Sequence, residues 1–238
     1  MWKESKSGSM QEFYSLPLGS GWKDEEIALM YLGYSGIILR MRGGTIAFDI
    51  ADLLTSGEVD AIQNLDIMLF THGHEDHYKL KDTLEIFNAT EACIVAEPQV
   101  ANDLKGKVPA DKLVSAEPGG TYDIGDVKVA AISGVHSGSI NLYHVETGGL
   151  SMLHCGDSGY VSVKERAAKI AFIPTGNPSP TASPKDALRM ALDSRPKVAV
   201  AIHGSKGQSK EFEKEMKKQM PETTVIVPER YKSIKMAL

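Results

Sequence analysis

Apolar positions in this chain fall into short strand-like runs punctuated by glycine, and the pattern changes twice. Residues 1–25 are polar and Gly/Ser-rich (Ser7-Gly8-Ser9, Gly19-Ser20-Gly21), which predicts a loosely ordered extension. Three β-rich segments follow at 27–32, 37–41 and 45–49, separated by Gly33 and Gly43-Gly44, the pattern of an antiparallel meander. The apolar run at 66–70 reads as a strand buried on both faces. Helical spacing then appears at Leu80, Leu84 and Phe87, followed by a strand at 92–96 and a helix at 98–104 with Pro98 in its first turn. A second strand-rich block occupies 127–132, 140–145, 150–155 and 170–173. Ser183-Pro184-Lys185-Asp186 starts a helix reaching about 193, where Arg195-Pro196 stops it. A strand at 197–202, a charged helix at 210–220 and a short strand at 225–227 close the pattern. Each block opens with consecutive strands and ends in strand-helix alternation, without any repeat of sequence. That order predicts an α/β fold of two sheets packed face to face with helices outside, forming a single domain over 26–238.

Composition narrows the class. The chain has 238 residues, 42% hydrophobic and 24% charged, enough to bury a core without disulfides. Lys plus Arg total 26 against 31 acids, a net charge of −5, which gives no global basic surface for nucleic acid. The mixed-charge start Met1-Trp2-Lys3-Glu4 lacks a signal-peptide pattern, and no apolar run reaches the roughly 18 residues of a membrane span. Cys93 and Cys155 lie in apolar segments and make no paired metal motif, so they read as reduced thiols of a cytoplasmic protein.

The chemistry concentrates in one window. Of seven histidines, His72, His74 and His77 fall within Thr71-His72-Gly73-His74-Glu75-Asp76-His77, a His-x-His-x-Asp-His pattern directly after the apolar run at 66–70. Imidazole and carboxylate ligate first-row metals at about 2.0 to 2.2 Å, and four such groups in six residues do not share a helical face. Side chains 72 and 74 can converge on one ion while 76 and 77 turn to a second, with Gly73 supplying the bend. Glu75 is placed outside the site. His144 and His154, inside strands and without motif context, read as ordinary core or edge histidines.

This motif resembles that of the metallo-β-lactamase superfamily, whose four-layer αββα sandwich of two mixed sheets with outer helices carries a one- or two-metal site at one edge. Three further motifs extend the resemblance over about residues 27–205: Ser133-Gly134-Val135-His136-Ser137, Cys155-Gly156-Asp157-Ser158-Gly159 and Ala201-Ile202-His203-Gly204. The resemblance implies that His72, His74 and His136 hold one metal, Asp76, His77 and His203 a second, and that Asp157 bridges them. Zinc is the default for such ligands, with manganese and iron open, and paired ions lower the pKa of a bridging water toward about 7. Asp76 would also orient the resulting hydroxide as a catalytic residue.

Within the superfamily the chain looks most similar to the small branch of ascorbate-6-phosphate lactonases and related metal-dependent hydrolases. Leu32-Gly33-Tyr34-Ser35-Gly36, Pro174-Thr175-Gly176, Ser183-Pro184-Lys185-Asp186-Ala187 and Val200-Ala201-Ile202-His203 carry that likeness. Tyr160, Asn177, Ser205 and Lys206, near ligand positions in sequence, are candidate pocket residues. The implied activity is hydrolysis of an ester-like bond, lactone, phosphodiester or thioester, in a small anionic metabolite. Two other classes stand beside it: a nucleic-acid phosphodiesterase of the same superfamily, disfavoured by net acidity, and a non-catalytic metal-containing metabolite-binding module, disfavoured by the intact ligand set. Self-association into a homo-oligomer is left open.

Overall fold

A computed structural model describes residues 3–4, 9–16, 26–50, 53–62 and 64–238. The chain divides into two compact units, Met1–Ala116 with Glu229–Ala237, and Glu117–Pro228.

The first unit contains β1 (Lys3–Glu4), α1 (Met10–Ser15), β2 (Glu26–Gly33), β3 (Gly36–Met41), β4 (Gly44–Phe48), α2 (Ser56–Val59), β5 (Ile67–Phe70), α3 (Leu80–Thr90), β6 (Cys93–Ala96), α4 (Pro98–Leu104) and β7 (Leu113–Ser115). The second contains β8 (Thr121–Ile124), β9 (Val127–Ser133), β10 (Asn141–Thr147), β11 (Leu150–His154), β12 (Ile170–Pro174), α5 (Pro184–Ser194), β13 (Val198–Ile202), α6 (Lys206–Gln219) and β14 (Thr224–Ile226). The last strand, β15 (Ser233–Ala237), returns to the first unit and pairs antiparallel with β2.

Each unit builds one mixed sheet. The first has the order β1-β15-β2-β3-β4-β5-β6-β7, antiparallel through the predicted meander β2–β4 and parallel from β4 to β7. The second has the order β14-β13-β12-β11-β10-β9-β8, antiparallel from β8 to β11 and parallel from β11 to β14. Parallel neighbours need crossover connections, and α2, α3, α4, α5 and α6 lie in five of the six. In the first unit Ala28, Met30, Ile38, Met68, Phe70 and Ile94 pack against Ile86, Phe87, Val100 and Leu104 of the helices. Ile27, Leu29, Ile37, Leu39, Phe48, Ile67 and Leu69, on the alternate positions, are buried as well. Burial of both faces explains why 67–70 is an unbroken apolar run and not an alternation. The second unit repeats the arrangement, with Leu153, Ala171, Ile173, Ala199 and Ala201 against Ala187, Met190, Phe212 and Met216.

The structure corrects several expectations. Residues 9–16 are not a loose extension: Ser9 caps α1 in a capping box with Glu12, and Met10, Phe13 and Tyr14 are buried in the first core. The buried Arg40 guanidinium donates to the Phe13 and Leu16 carbonyls and lies 5.6 Å and 5.1 Å from the ring centroids of Phe13 and Tyr14. Burial pushes the Tyr14 hydroxyl's pKa up and that of Arg40 down. Most of the rest of 1–25 lies outside the described residues. Helix α6 begins at Lys206, before the expected 210, because Ser205 and Gln208 cap it reciprocally. Strands β7, β8 and β15 had no clear apolar signature, the first two being short and only partly buried. Among the described residues no helix is long and apolar enough to cross a membrane.

If α1 is an integral part of the first core, Phe13→Ala will lower unfolding free energy by about 3–5 kcal/mol in a denaturant titration. An unchanged midpoint would show that the helix adds nothing to the core.

Candidate metal centre

Strand direction gathers the candidate ligands within each unit. Strands β4, β5 and β6 run parallel, so Asp49, the Thr71–His77 loop and Glu97 leave one edge of the first sheet. By the same geometry β9, β11, β12 and β13 all run one way, and His136, Asp157, Thr175 and His203 follow their carboxyl ends. Such strand ends are where open α/β sheets bind ligands.

In the first unit a buried carboxylate organises the loop. Asp49 stands just past β4 with φ +48°, a left-handed conformation that Asp tolerates better than most residues. Its Oδ1 accepts the Thr71 N–H at 2.8 Å, and its Oδ2 accepts the Thr71 hydroxyl at 2.7 Å and His77 Nδ1 at 2.8 Å. With its proton committed to Asp49, the Thr71 Oγ1 accepts from His72 Nδ1 at 3.1 Å. Both imidazoles thereby carry their lone pair on Nε2, the tautomer assigned by these partners. Ring centroids of His72 and His74 lie 4.5 Å apart, and those of His72 and His77 4.1 Å apart. Asp76, partly exposed, has its Oδ2 3.5 Å from His77 Nε2. The bend does not come from Gly73, whose φ is outside the left-handed region. It comes from a turn in which the His77 and Tyr78 N–H groups donate to the His74 carbonyl at 2.9 Å and 2.8 Å.

In the second unit Asp157 is the hub. Its Oδ2 lies 3.4 Å from His136 Nε2 and 3.7 Å from His203 Nε2. The Thr181 hydroxyl accepts from His136 Nδ1 at 3.2 Å and is 3.4 Å from the Asp157 carbonyl, which also accepts from Ser179 Oγ at 2.5 Å. His203 has φ +41°, a conformation costing on the order of 1 kcal/mol outside glycine. Its carbonyl accepts the N–H groups of Thr175 and Gly176 at 3.3 Å and 3.0 Å, which holds the kink. Position 204 must be glycine, since a Cβ there would fall on the Thr175 hydroxyl.

These contacts test whether the residues suit a metal. For His72, His77 and His136 the Nδ1 atom is occupied by a hydroxyl or carboxylate, and Nε2 is turned to ligation. That is the outer support that metal-ligating histidines need, and the nitrogen/oxygen donor set suits a divalent transition metal. The supporting residues Asp49, Thr71 and Thr181 escape a sequence reading. The first two carry a faint signal as polar residues ending apolar runs, whereas Thr181 lies 45 positions from His136 and carries none.

The candidate pocket residues fare differently. The Tyr160 hydroxyl donates to Asp193 at 3.0 Å and its ring lies under Arg189 at 3.4 Å. Ser205 caps α6, the Asn177 N–H donates to the Gln208 side chain at 3.0 Å, and Lys206 is exposed on the first turn of α6. His144 bonds the Ala167 carbonyl and His154 accepts the Gly156 N–H, so both serve the fold as expected. Cys155 is fully buried, which pushes its thiol pKa up, and Cys93 is half-buried with the same direction of shift.

Two mixed sheets with crossover helices and His/Asp clusters at their strand ends define a protein of the metallo-β-lactamase fold. The model of the beta-lactamase superfamily domain matches residues 28–203, and the chain belongs to that superfamily. A UPF0173 metal-dependent hydrolase of Lysinibacillus sphaericus is 31% identical over 202 residues, covering 74% of this chain and 84% of the relative. Igni18, a metallo hydrolase from the archaeon Ignicoccus hospitalis, shares the fold with a TM-score of 0.76 at 23% identity, over 90% of this chain and 99% of its own. CmlA, a diiron β-hydroxylase from Streptomyces venezuelae, shares it with a TM-score of 0.69 at 14% identity, over 90% of this chain and 54% of its own.

Asp49→Asn keeps a residue that accepts a left-handed backbone while weakening acceptance from His77 and Thr71. We expect divalent-metal affinity in a competitive chelator titration to fall about 10- to 100-fold with the circular dichroism spectrum unchanged. Wild-type affinity in that variant would remove Asp49 from any supporting role.

Proposed function

We propose that this chain is a dinuclear metallohydrolase that cleaves an ester-like bond, lactone, phosphodiester or thioester, in a small anionic metabolite. The observation that carries the reading is the donor set that each unit presents at the carboxyl ends of its strands: His72, His74, Asp76 and His77 in the first, and His136, Asp157 and His203 in the second. Two groups of three or four N/O donors match the ligand number of two transition ions, zinc by default, with manganese or iron compatible. When bound, such ions supply Lewis acidity and an activated water near neutral pH.

The chain's own residues have separable roles in this reading. Asp157 Oδ2, between two imidazoles at 3.4 Å and 3.7 Å, is the carboxylate placed to be shared. Asp76 combines partial exposure with a position 3.5 Å from His77 Nε2, which suits it to orient the attacking water and hold its proton. His72 and His77 keep fixed tautomers through the Asp49 network, so neither needs to reorganise as charge develops. The superfamily and the naming of the Lysinibacillus relative support hydrolysis, while the CmlA likeness is a reminder that this fold also hosts oxidative chemistry. Two free cysteines agree with a reducing, cytoplasmic compartment.

Elemental analysis of purified protein should give stoichiometric transition metal. On a panel of lactones, phosphodiesters and thioesters, His74→Ala should lose roughly 100-fold or more in kcat/KM on whichever substrate the wild type turns over. Metal-free protein with activity, or a fully active His74→Ala variant, overturns the proposal.

A further inference from the structure

A cavity of about 540 Å³ lies within the second unit, away from the side chains assigned to the metal ligands. Its size falls in the range of about 300–1,000 Å³ typical of small-molecule sites. The floor is apolar, from Pro118, Ile132 and Val163, and Lys164 and Arg166 stand at its wall with Glu165 between them. Among the described residues neither cation is paired with a carboxylate. The wall is built rigidly: the Arg166 N–H closes a turn onto the Val163 carbonyl at 2.9 Å, and the Val163 N–H is anchored on the buried Asp193 carboxylate at 3.2 Å. Asp193 also receives the Tyr160 hydroxyl, so one carboxylate holds the segment at 160 and 163 as it enters the wall. Across the cavity Gly119, at φ +86°, presents open space where a side chain would stand.

We propose that this cavity is a binding site for a small organic anion, a carboxylate or phosphate head on an aromatic or short alkyl body. Two cations without acid partners on a pre-formed turn supply the head-group contacts, and the apolar floor takes the body. With one flanking acid, Glu165, the wall keeps a net charge of one positive unit. The site is distinct from the candidate metal ligands but adjoins them along the chain: Ser133 ends β9 three positions before His136, and Ser162 follows Asp157 by five. It does not depend on the hydrolase reading.

The test uses 1-anilinonaphthalene-8-sulfonate, an organic anion with an aromatic body, titrated by fluorescence into the full chain with and without chelator treatment. One saturable site is expected, unaffected by metal removal, displaced by phenyl phosphate or benzoate and not by neutral benzyl alcohol. Lys164→Glu/Arg166→Glu should weaken binding roughly tenfold or more, and Ser162→Trp, which fills the cavity from an exposed position, should abolish it. The milder Lys164→Gln/Arg166→Gln pair should weaken it in the same direction if charge reversal unfolds the protein. Binding that is unsaturable, lost on chelation, equally displaced by benzyl alcohol, or unchanged in these variants overturns the proposal.

Discussion

Parallel pairing is the constraint on which this structure depends. In a parallel sheet every strand must be entered from the same end, so every carboxyl end emerges on one edge and every return path becomes a crossover. In the first unit this places Asp49 beside the Thr71–His77 loop; in the second it places Asp157 and His203 at one edge although 46 positions separate them (203 − 157). In an antiparallel half only alternate strands share a direction, and β9, two steps from β11, thereby adds His136 to the same edge. The antiparallel pairs also supply width and burial, as β2 and β3 do with their largely apolar, buried positions.

Position alone does not make a ligand; orientation does. A histidine ring can rotate and can carry its proton on either nitrogen, and the cost of choosing must be met before a metal arrives. Here the choice is made by polar groups at the same edge, with Asp49 fixing His77 directly and His72 through Thr71, and with Thr181 fixing His136. The left-handed backbones of Asp49 and His203 belong to the same design. Each turns a side chain off the end of a strand where an extended residue would continue the sheet, and each is held by backbone hydrogen bonds, from Asp49 to Leu69 and onto His203 from Thr175 and Gly176. Strain of this kind persists only where neighbours over-determine it, and it gathers at functional positions.

Asp193 plays a parallel part on a smaller scale. Buried and taking both the Tyr160 hydroxyl and the Val163 amide, it stiffens the segment that leads away from Asp157 and forms a wall of the cavity. Tyr160 therefore has a structural duty that proximity in sequence to Asp157 did not reveal. The same holds for Ser205, whose hydroxyl closes the start of α6.

The sequence by itself determined the central strands and marked the candidate ligands. Apolar runs such as 67–70 are unbroken because both sheet faces are buried, and the cluster after them is dense because a loop of six residues must present several donors at once. Local patterns also marked α4 and α5, through proline in the first turn, since capping chemistry acts over three or four residues. Tertiary structure decided what has no local cause. Helix α1 is ordered by Arg40, 27 positions from Phe13, and β15 is a strand because β2 offers it an edge. The tautomers of the candidate histidines, the left-handed turn at His203 and the rigid wall of the cavity likewise arise from partners brought together only by strand order. Hydrophobic period is a property of neighbours along the chain, whereas orientation and protonation are set by neighbours in space.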